Sequence, residues 1–214
     1  MAKLLQKFEH FDLWKIEHPD LAEFTKFVLR VNYEHHLKTT APIEEVETNI
    51  EKDQYNSQDK CFYVLKTKDG KIFGTIMAWL WDGNGTLDLE KDYDLDVKHL
   101  IKTRGLNPPQ IWYTGRIAVD RTIVNQSEEL KAQQGLYFKL LLTVCFAHIC
   151  THPENAMVSE FDYRMHKTYV KLGIVSEELA ETRFTLGSEA VPILNTGAGL
   201  QPFVDKYKHL LNYV

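Results

Sequence analysis

The sequence is short of cysteine, with three in 214 residues: Cys61, Cys145 and Cys150. An odd count in apolar surroundings excludes a paired disulfide framework and points to reduced, buried thiols in a cytoplasmic protein. Long apolar runs are missing too. None reaches the roughly 18 residues that a spanning helix needs, so no stable membrane insertion is expected. There is no block of basic residues: 25 Lys and Arg are scattered among 30 Asp and Glu, for a net charge of −5. That excludes the electrostatic footprint of a nucleic-acid binder. No internal repeat or low-complexity linker divides the chain, which favours one domain over residues 1–214. The first residues, MAKLLQKFEHFDLWKI, are charged throughout and are not expected to form a secretory leader.

What is present is ordinary for a globular chain: 44% hydrophobic and 26% charged residues, enough to bury a sizeable core without staples. Aromatic residues make up 12%, which reads as core with room for an apolar ligand. The densest acidic stretch, LDLEKDYDLD at Leu87–Asp96, alternates with apolar residues. A solvated or partner-facing insertion is the main reading there, and a metal site the lesser one.

Hydrophobic spacing then places the elements. Lys7–Glu17 alternates as a strand, and Pro19–His36 has an apolar face of Leu21, Phe24, Val28 and Val31 at helical spacing. Pro19 suits the first turn, and Asp20 and Glu23 suit the positive helix start. Ile43–Asn56 is a weaker amphipathic helix. Two β-rich runs in Cys61–Trp81 flank Lys68-Asp69-Gly70-Lys71, and Asp-Gly between alternating hydrophobics is a strong hairpin signal. A polar segment over 82–110 precedes a strand at Ile111–Thr122. Glu128–His152 reads as one long buried helix, Asn155–Asp162 as a strand, and Met165–Gly173 as a short helix stopped by glycine. Thr182–Thr196 reads as a strand or hairpin and Gly199–Leu211 as a last helix. The order β-α-α-β-β-β-α-β-α-β-α contains one parallel β-α-β crossover and one hairpin, hence an α/β (α+β) mixed sheet with helices on both faces.

With the strand IWYTGRIAVDR and the helix end YVKLGI in place, the chain resembles the GNAT superfamily of acyl-CoA-dependent N-acyltransferases. Within it, the strand is similar to that of the autoinducer (acyl-homoserine lactone) synthases and the N-acyl amino acid synthases, as are the preceding insertion and the tail EAVPILNT. The resemblance implies a twisted sheet that splays between the family's fourth and fifth strands. It implies an acyl-thioester donor, as acyl-CoA or acyl-phosphopantetheine on an acyl carrier protein. Backbone at Ile117, Ala118 and Val119 would hold the pantetheine, and Gln133, Gln134, Gly135 and Leu136 the phosphates at a helix start. The chain departs from the pattern at Ala132, where Gln or Arg is expected, at Tyr137, where a small residue is expected, and at Tyr113, where the autoinducer synthases carry glutamate. Ten extra residues, Thr122–Lys131, lengthen the loop before the helix. A tyrosine ring at the phosphate loop would obstruct pyrophosphate, which brings a carrier protein forward as donor.

The same resemblance puts Tyr169 in the slot of a general acid. A phenol is protonated at neutral pH and can supply a proton to a departing thiolate; a packed tyrosine at a helix end is the alternative. Arg116 would bind a substrate carboxylate or hold a loop by an ion pair. Glu160 is the candidate base, with Asp120 and Asp162 behind it and a plain surface role as the alternative. Little base is needed for an α-amino acceptor of pKa about 7.7, roughly one-sixth neutral at pH 7. Neutralising a lysine-type amine costs roughly 4–5 kcal/mol. Cys145, His148, Cys150 and His152 lie close in sequence, and His148 and His152 at i, i+4 suit a metal whose third ligand would have to come from Cys145 or elsewhere. No Glu base accompanies the pair, and ordinary histidines at a buried helix end are the better reading, so no metal is expected. Trp14, Phe24, Phe27, Trp79, Trp81, Trp112 and Phe146 are core or line an acyl tunnel. The expectation is an N-acyltransferase for a small amine acceptor. A domain that binds without catalysis, a short-chain acetyltransferase and a homodimer all stay open.

Overall fold

The computed structural model describes residues 2–17, 20–55, 59–185 and 188–212. The strands are β1 (Lys3–Lys7), β2 (Phe11–Ile16), β3 (Lys60–Thr67), β4 (Ile72–Trp81), β5 (Ile111–Val119), β6 (Ala156–Asp162), β7 (Glu177–Glu178), β8 (Arg183–Thr185) and β9 (Ser188–Thr196). The α-helices are α1 (Leu21–Asn32), α2 (Ile43–Gln54), α3 (Asp88–Tyr93), α4 (Val97–Thr103), α5 (Arg121–Val124), α6 (Glu128–Ala132), α7 (Gln134–Ile149), α8 (Tyr163–Lys171) and α9 (Gly197–Tyr207). The strands hydrogen-bond in the order β1-β2-β3-β4-β5-β6-β9-β7, with β8 on β9. The sheet is mixed: β5 and β6 are parallel, whereas β6 and β9 are antiparallel. Contacts divide the chain into two compact units, residues 1–77, 116–145 and 207–214, and residues 78–115 and 146–206.

In the first unit, β1 and β2 form a hairpin with a register shift between Leu4 and Gln6. β2 then pairs antiparallel with β3 from Phe11↔Thr67 to Ile16↔Phe62. The Asp69-Gly70 turn joins β3 to β4, with Gly70 at φ 89 as a left-handed turn residue requires. Phe11, Phe73 and Tyr137 meet edge to face, with centroids 4.9–5.8 Å apart, an arrangement worth roughly 0.5–1.5 kcal/mol per pair beyond area burial. α1 is tied to α2 where the Thr25 hydroxyl donates to Asp53 Oδ2 at 2.8 Å.

In the second unit, the parallel ladder runs from Ile111↔Ala156 to Thr114↔Ser159. β6 also pairs with β9 along its whole length, Ala156↔Thr196 to Asp162↔Ala190. Trp81, Leu87, Leu89, Tyr93, Val97 and Ile101 pack with Ala156, Val158 and Leu194 in one apolar cluster. Gly197 is obligatory: a Cβ there would lie 2.2 Å from the His152 carbonyl oxygen.

Several expectations change. The single first strand at Lys7–Glu17 is a hairpin, because residues 8–10 turn and β1 lies before them. The helix expected from Pro19 starts at Leu21 and passes at Tyr33 into a π-turn ending at Leu37; Pro19 lies outside the described residues, as do Asn56, Leu186 and Gly187. The acidic segment is not merely solvated. It folds as α3 and α4, whose Leu89, Tyr93, Val97 and Ile101 are buried while Lys91, Asp92 and Asp94 face solvent. The long helix over Glu128–His152 is broken, because Gln133 caps α6 and α7 begins afresh at Gln134. Of the three free thiols only Cys145 is buried. Among the described residues, no helix is long and apolar enough to cross a membrane.

Asp53 is only 3% exposed and serves both Thr25 and Arg116. Replacing one member of such a buried pair leaves the other charge unpaired, so Asp53→Ala is expected to lower unfolding free energy by roughly 3–5 kcal/mol in urea denaturation. An unchanged midpoint would show that the pair is not a structural tie.

Candidate functional site

Local backbone chemistry positions the residues in the first unit. Arg116 has φ 57, a left-handed conformation in the middle of a strand that costs a non-glycine residue on the order of 1–2 kcal/mol. Two contacts hold it there. Thr75 Oγ1 donates to the Arg116 carbonyl at 2.9 Å. The guanidinium donates to Asp53 Oδ1 from Nε at 3.2 Å and from Nη2 at 3.1 Å, and to Asn49 Oδ1 at 2.8 Å. Its charge is thus engaged within the protein. After the irregularity, Ile117 and Val119 are half-buried and Ala118 is buried. Asp120 ends the strand: Oδ1 accepts from the Thr122 and Ile123 amides, and Oδ2 pairs with Arg30 at 2.7 Å. A capping and ion-paired carboxylate is a structural group.

The start of α7 is open. Gln134 and Gly135 are exposed, Gln133 and Leu136 half-buried, and a Cβ on Gly135 would meet nothing within 4 Å. The first turn of this 16-residue helix carries no acidic residue. The Leu136 amide donates to the Gln133 carbonyl at 2.8 Å, and the helix dipole at such an end favours an anion. The expectation of a ring blocking this loop fails. Tyr137 is 0% exposed, turned against Phe11 and Phe73, and its hydroxyl donates to the Leu130 carbonyl at 2.6 Å. Position 137 lies on the inner face of the helix, where a large apolar ring adds to the core.

The second unit holds the carboxylate and the phenol. Glu160 sits on β6 opposite Pro192 and accepts from the Tyr93 hydroxyl at 3.2 Å and from the Thr185 hydroxyl. Burial, with Asp92 and Asp88 nearby, raises its carboxyl above the ordinary range despite both hydrogen bonds. Burial and the Glu160 charge likewise raise the Tyr93 phenol. Tyr169, on α8, is 0% exposed between Phe146 and Phe161 and donates to Asn195 Oδ1 at 3.3 Å. Asn195 Nδ2 in turn donates to the Val175 carbonyl at 2.6 Å. Thr114, at the last position of β5 paired with β6, has a buried Oγ1 with no hydrogen-bond partner among the described residues.

Sequence reasoning does not find Tyr93, Thr185, Asn195 or Thr114. Only Tyr93 leaves a trace, as an apolar position in the acidic stretch; the others depend on strand pairing. Asp162 caps α8 by accepting from the Arg164 and Met165 amides. His148 stacks near Trp112 with centroids 5.5 Å apart, and His152 Nδ1 accepts from the Glu154 amide. Burial pushes the Cys150 thiol up to about 12.

The raised carboxyl fixes a pH dependence. A carboxylate with folded pKa above its unfolded value contributes stability fully present below the unfolded pKa and lost as pH rises through the folded one. Glu160→Gln keeps an oxygen acceptor for Tyr93 and Thr185 but cannot ionise. Its stability relative to the parent is expected to rise as pH climbs above the ordinary glutamate range, about 4.3, in chemical denaturation. A difference that stays constant with pH above that point would refute the assignment.

No family model matches the sequence, and no curated protein matches it. Solved structures do. TofI, crystallised with an inhibitor and MTA, is 13% identical with TM-score 0.58, over 95% of this chain and 95% of that one. FeeM, an N-acyl amino acid synthase from uncultured soil microbes, is 15% identical with TM-score 0.56, over 99% of this chain and 94% of that one. BjaI, a CoA-dependent acyl-homoserine lactone synthase solved with SAM and isopentyl-CoA, is 15% identical with TM-score 0.54, over 91% of this chain and 88% of that one. The shared element order, with its parallel β5–β6 pair and antiparallel β6–β9 pair, is the GNAT acyltransferase fold.

Proposed function

We propose that the chain is an N-acyltransferase that moves an acyl group from a phosphopantetheine thioester to the amine of a small amino acid-like acceptor. The observation that carries this reading is the fold shared with FeeM along 99% of this chain. The exposed start of α7 at Gln134 and Gly135 supports a phosphate-bearing donor. With Tyr137 buried, the steric reason for preferring an acyl carrier protein over acyl-CoA is gone. Backbone at Ile117, Ala118 and Val119 is the proposed support for the pantetheine arm, with Gln133 and Leu136 flanking the phosphate end.

In the reaction the amine nitrogen attacks the thioester carbon. A carbon–nitrogen bond forms, the carbon–sulfur bond breaks, and the thiolate takes a proton. Tyr169 is the proposed donor of that proton. Its hydroxyl faces Asn195 Oδ1, so acting as the acid requires exchanging that partner for sulfur. Glu160 is the proposed acceptor of the amine proton, and its raised pKa makes it the stronger base. Arg116 is proposed to act through the backbone it holds rather than by binding a carboxylate, since Asp53 and Asn49 engage its guanidinium. A second reading, a domain that binds without catalysis, is favoured by the complete burial of Tyr169 and by Ala132, exposed where the pattern carries Gln or Arg.

Mass spectrometry of mixtures with acyl-CoA or acyl carrier protein and a panel of amino acids is expected to show amide product. Tyr169→Phe is expected to lower kcat about a hundredfold. The same change should cost only about 1 kcal/mol of stability, because the ring stays packed and one hydrogen bond is lost. Equal turnover by the variant would remove Tyr169 from the mechanism. Calorimetric binding of CoA with no amide from any acceptor would favour the non-catalytic reading.

A further inference from the structure

The second unit places a histidine between a hydroxyl and a carboxylate at a position the acyl-transfer reading does not use. His166 lies on α8 with 5% of its surface exposed. Its Nε2 is 2.9 Å from Ser176 Oγ, and its Nδ1 is 3.5 Å from Glu178 Oε1. The neighbouring Glu177 is engaged by Arg104, which leaves Glu178 to face the ring. A carboxylate beside Nδ1 favours the tautomer with its proton there, so Nε2 is the acceptor for the serine hydroxyl. The Nδ1 distance is long for a hydrogen bond, as catalytic contacts in unliganded enzymes often are.

The three side chains sit on braced backbone. Gly173, at φ 85, turns the chain out of α8, and the Ile174 amide donates to the Tyr169 carbonyl at 3.3 Å. Asn195 holds the Val175 carbonyl at 2.6 Å, one residue before Ser176. On the other side β7 pairs Glu177 with Leu194 and Glu178 with Ile193, and the Leu179 amide donates to the Pro192 carbonyl at 2.8 Å. Both flanks of Ser176 are therefore fixed relative to the helix that carries His166. Apolar side chains border it: Val175 is 84% exposed and Val170, one helical turn beyond His166, is 53% exposed.

We propose that Ser176, His166 and Glu178 form a hydrolytic site for esters of short apolar acyl groups, separate from the proposed acyl-transfer chemistry and not dependent on it. Ser176 is the nucleophile, His166 the base, and Glu178 a positioning residue that orients the ring. Ser176 Oγ bonds to the acyl carbon while His166 Nε2 takes its proton. The carbon–oxygen bond to the alcohol breaks, and the proton passes to the departing oxygen. Water then attacks the acyl-serine, His166 relays one proton back to Ser176 Oγ, and the acyl group leaves as the carboxylic acid. Val170 and Val175 are the surface for the acyl chain.

The test uses the full chain with an alkyl fluorophosphonate probe and p-nitrophenyl butyrate. Peptide mass mapping is expected to find the phosphonate on Ser176. Ser176→Ala should abolish that label and lower ester hydrolysis roughly a hundredfold. His166→Gln should slow labelling of Ser176 by a similar factor. Glu178→Gln should slow it about tenfold with an unchanged melting temperature, a split that a merely structural role would not give. Because the His166 ring is buried, Ser176→Ala decides the matter if His166→Gln fails to fold. No label, a label on another residue, or hydrolysis by Ser176→Ala at the parent rate overturns the proposal.

Discussion

A strand residue held in a left-handed backbone conformation needs a reason to stay there, and Arg116 has two: its carbonyl is bonded by Thr75 and its guanidinium is held by Asp53 and Asn49 of α2. The contacts belong to different levels of structure. One fixes the strand against its neighbour, and the other fixes a helix against the strand. Asp53 extends the second to α1 through Thr25, so a carboxylate with almost no exposure joins two helices and the irregular strand. The conformational cost at Arg116 is on the order of the worth of one or two hydrogen bonds, and only a network of this size holds it.

Much of the architecture was legible because it rests on local signals. Asp69-Gly70 names its own turn, Gly173 stops its helix with a positive φ, and the apolar run of α7 announces burial. The errors lie where pairing or capping decides. β1 and β7 are short, and the sheet, not their sequence, makes them strands. The break at Gln133 is invisible to hydrophobic spacing, which continues through it. Tyr137 is the instructive case. Aligned against a motif it reads as an obstruction, yet its place on the inner face of α7 makes it core. The motif carries no information about which way a side chain points.

The candidate site was legible in part. Glu160 and Tyr169 stand out by their strand and helix slots, but their partners do not. Tyr93 and Thr185 reach Glu160 from segments 67 and 25 residues away, and Asn195 reaches Tyr169 across 26. The surroundings set the chemistry: burial and neighbouring acids raise the Glu160 carboxyl against its two hydrogen bonds, so it keeps its proton longer than an exposed one. A phenol sealed among Phe146, Phe161 and Asn195 is a different reagent from one at a surface. Residue identity nominates such groups, and only tertiary surroundings assign their strength.

The way the chain is shared between the two compact units has a consequence for how it folds. It passes from one to the other at 77/78, 115/116, 145/146 and 206/207, and all four passages fall inside elements, β4, β5, α7 and α9, rather than in loops. Neither unit is a continuous stretch of sequence, so neither can be completed by the segment that begins it. During synthesis the first unit must wait for residues 116–145, by which point part of the second has already emerged. No single cut in the chain separates them, and a fragment ending inside either should expose an unfinished sheet to aggregation rather than fold as a domain.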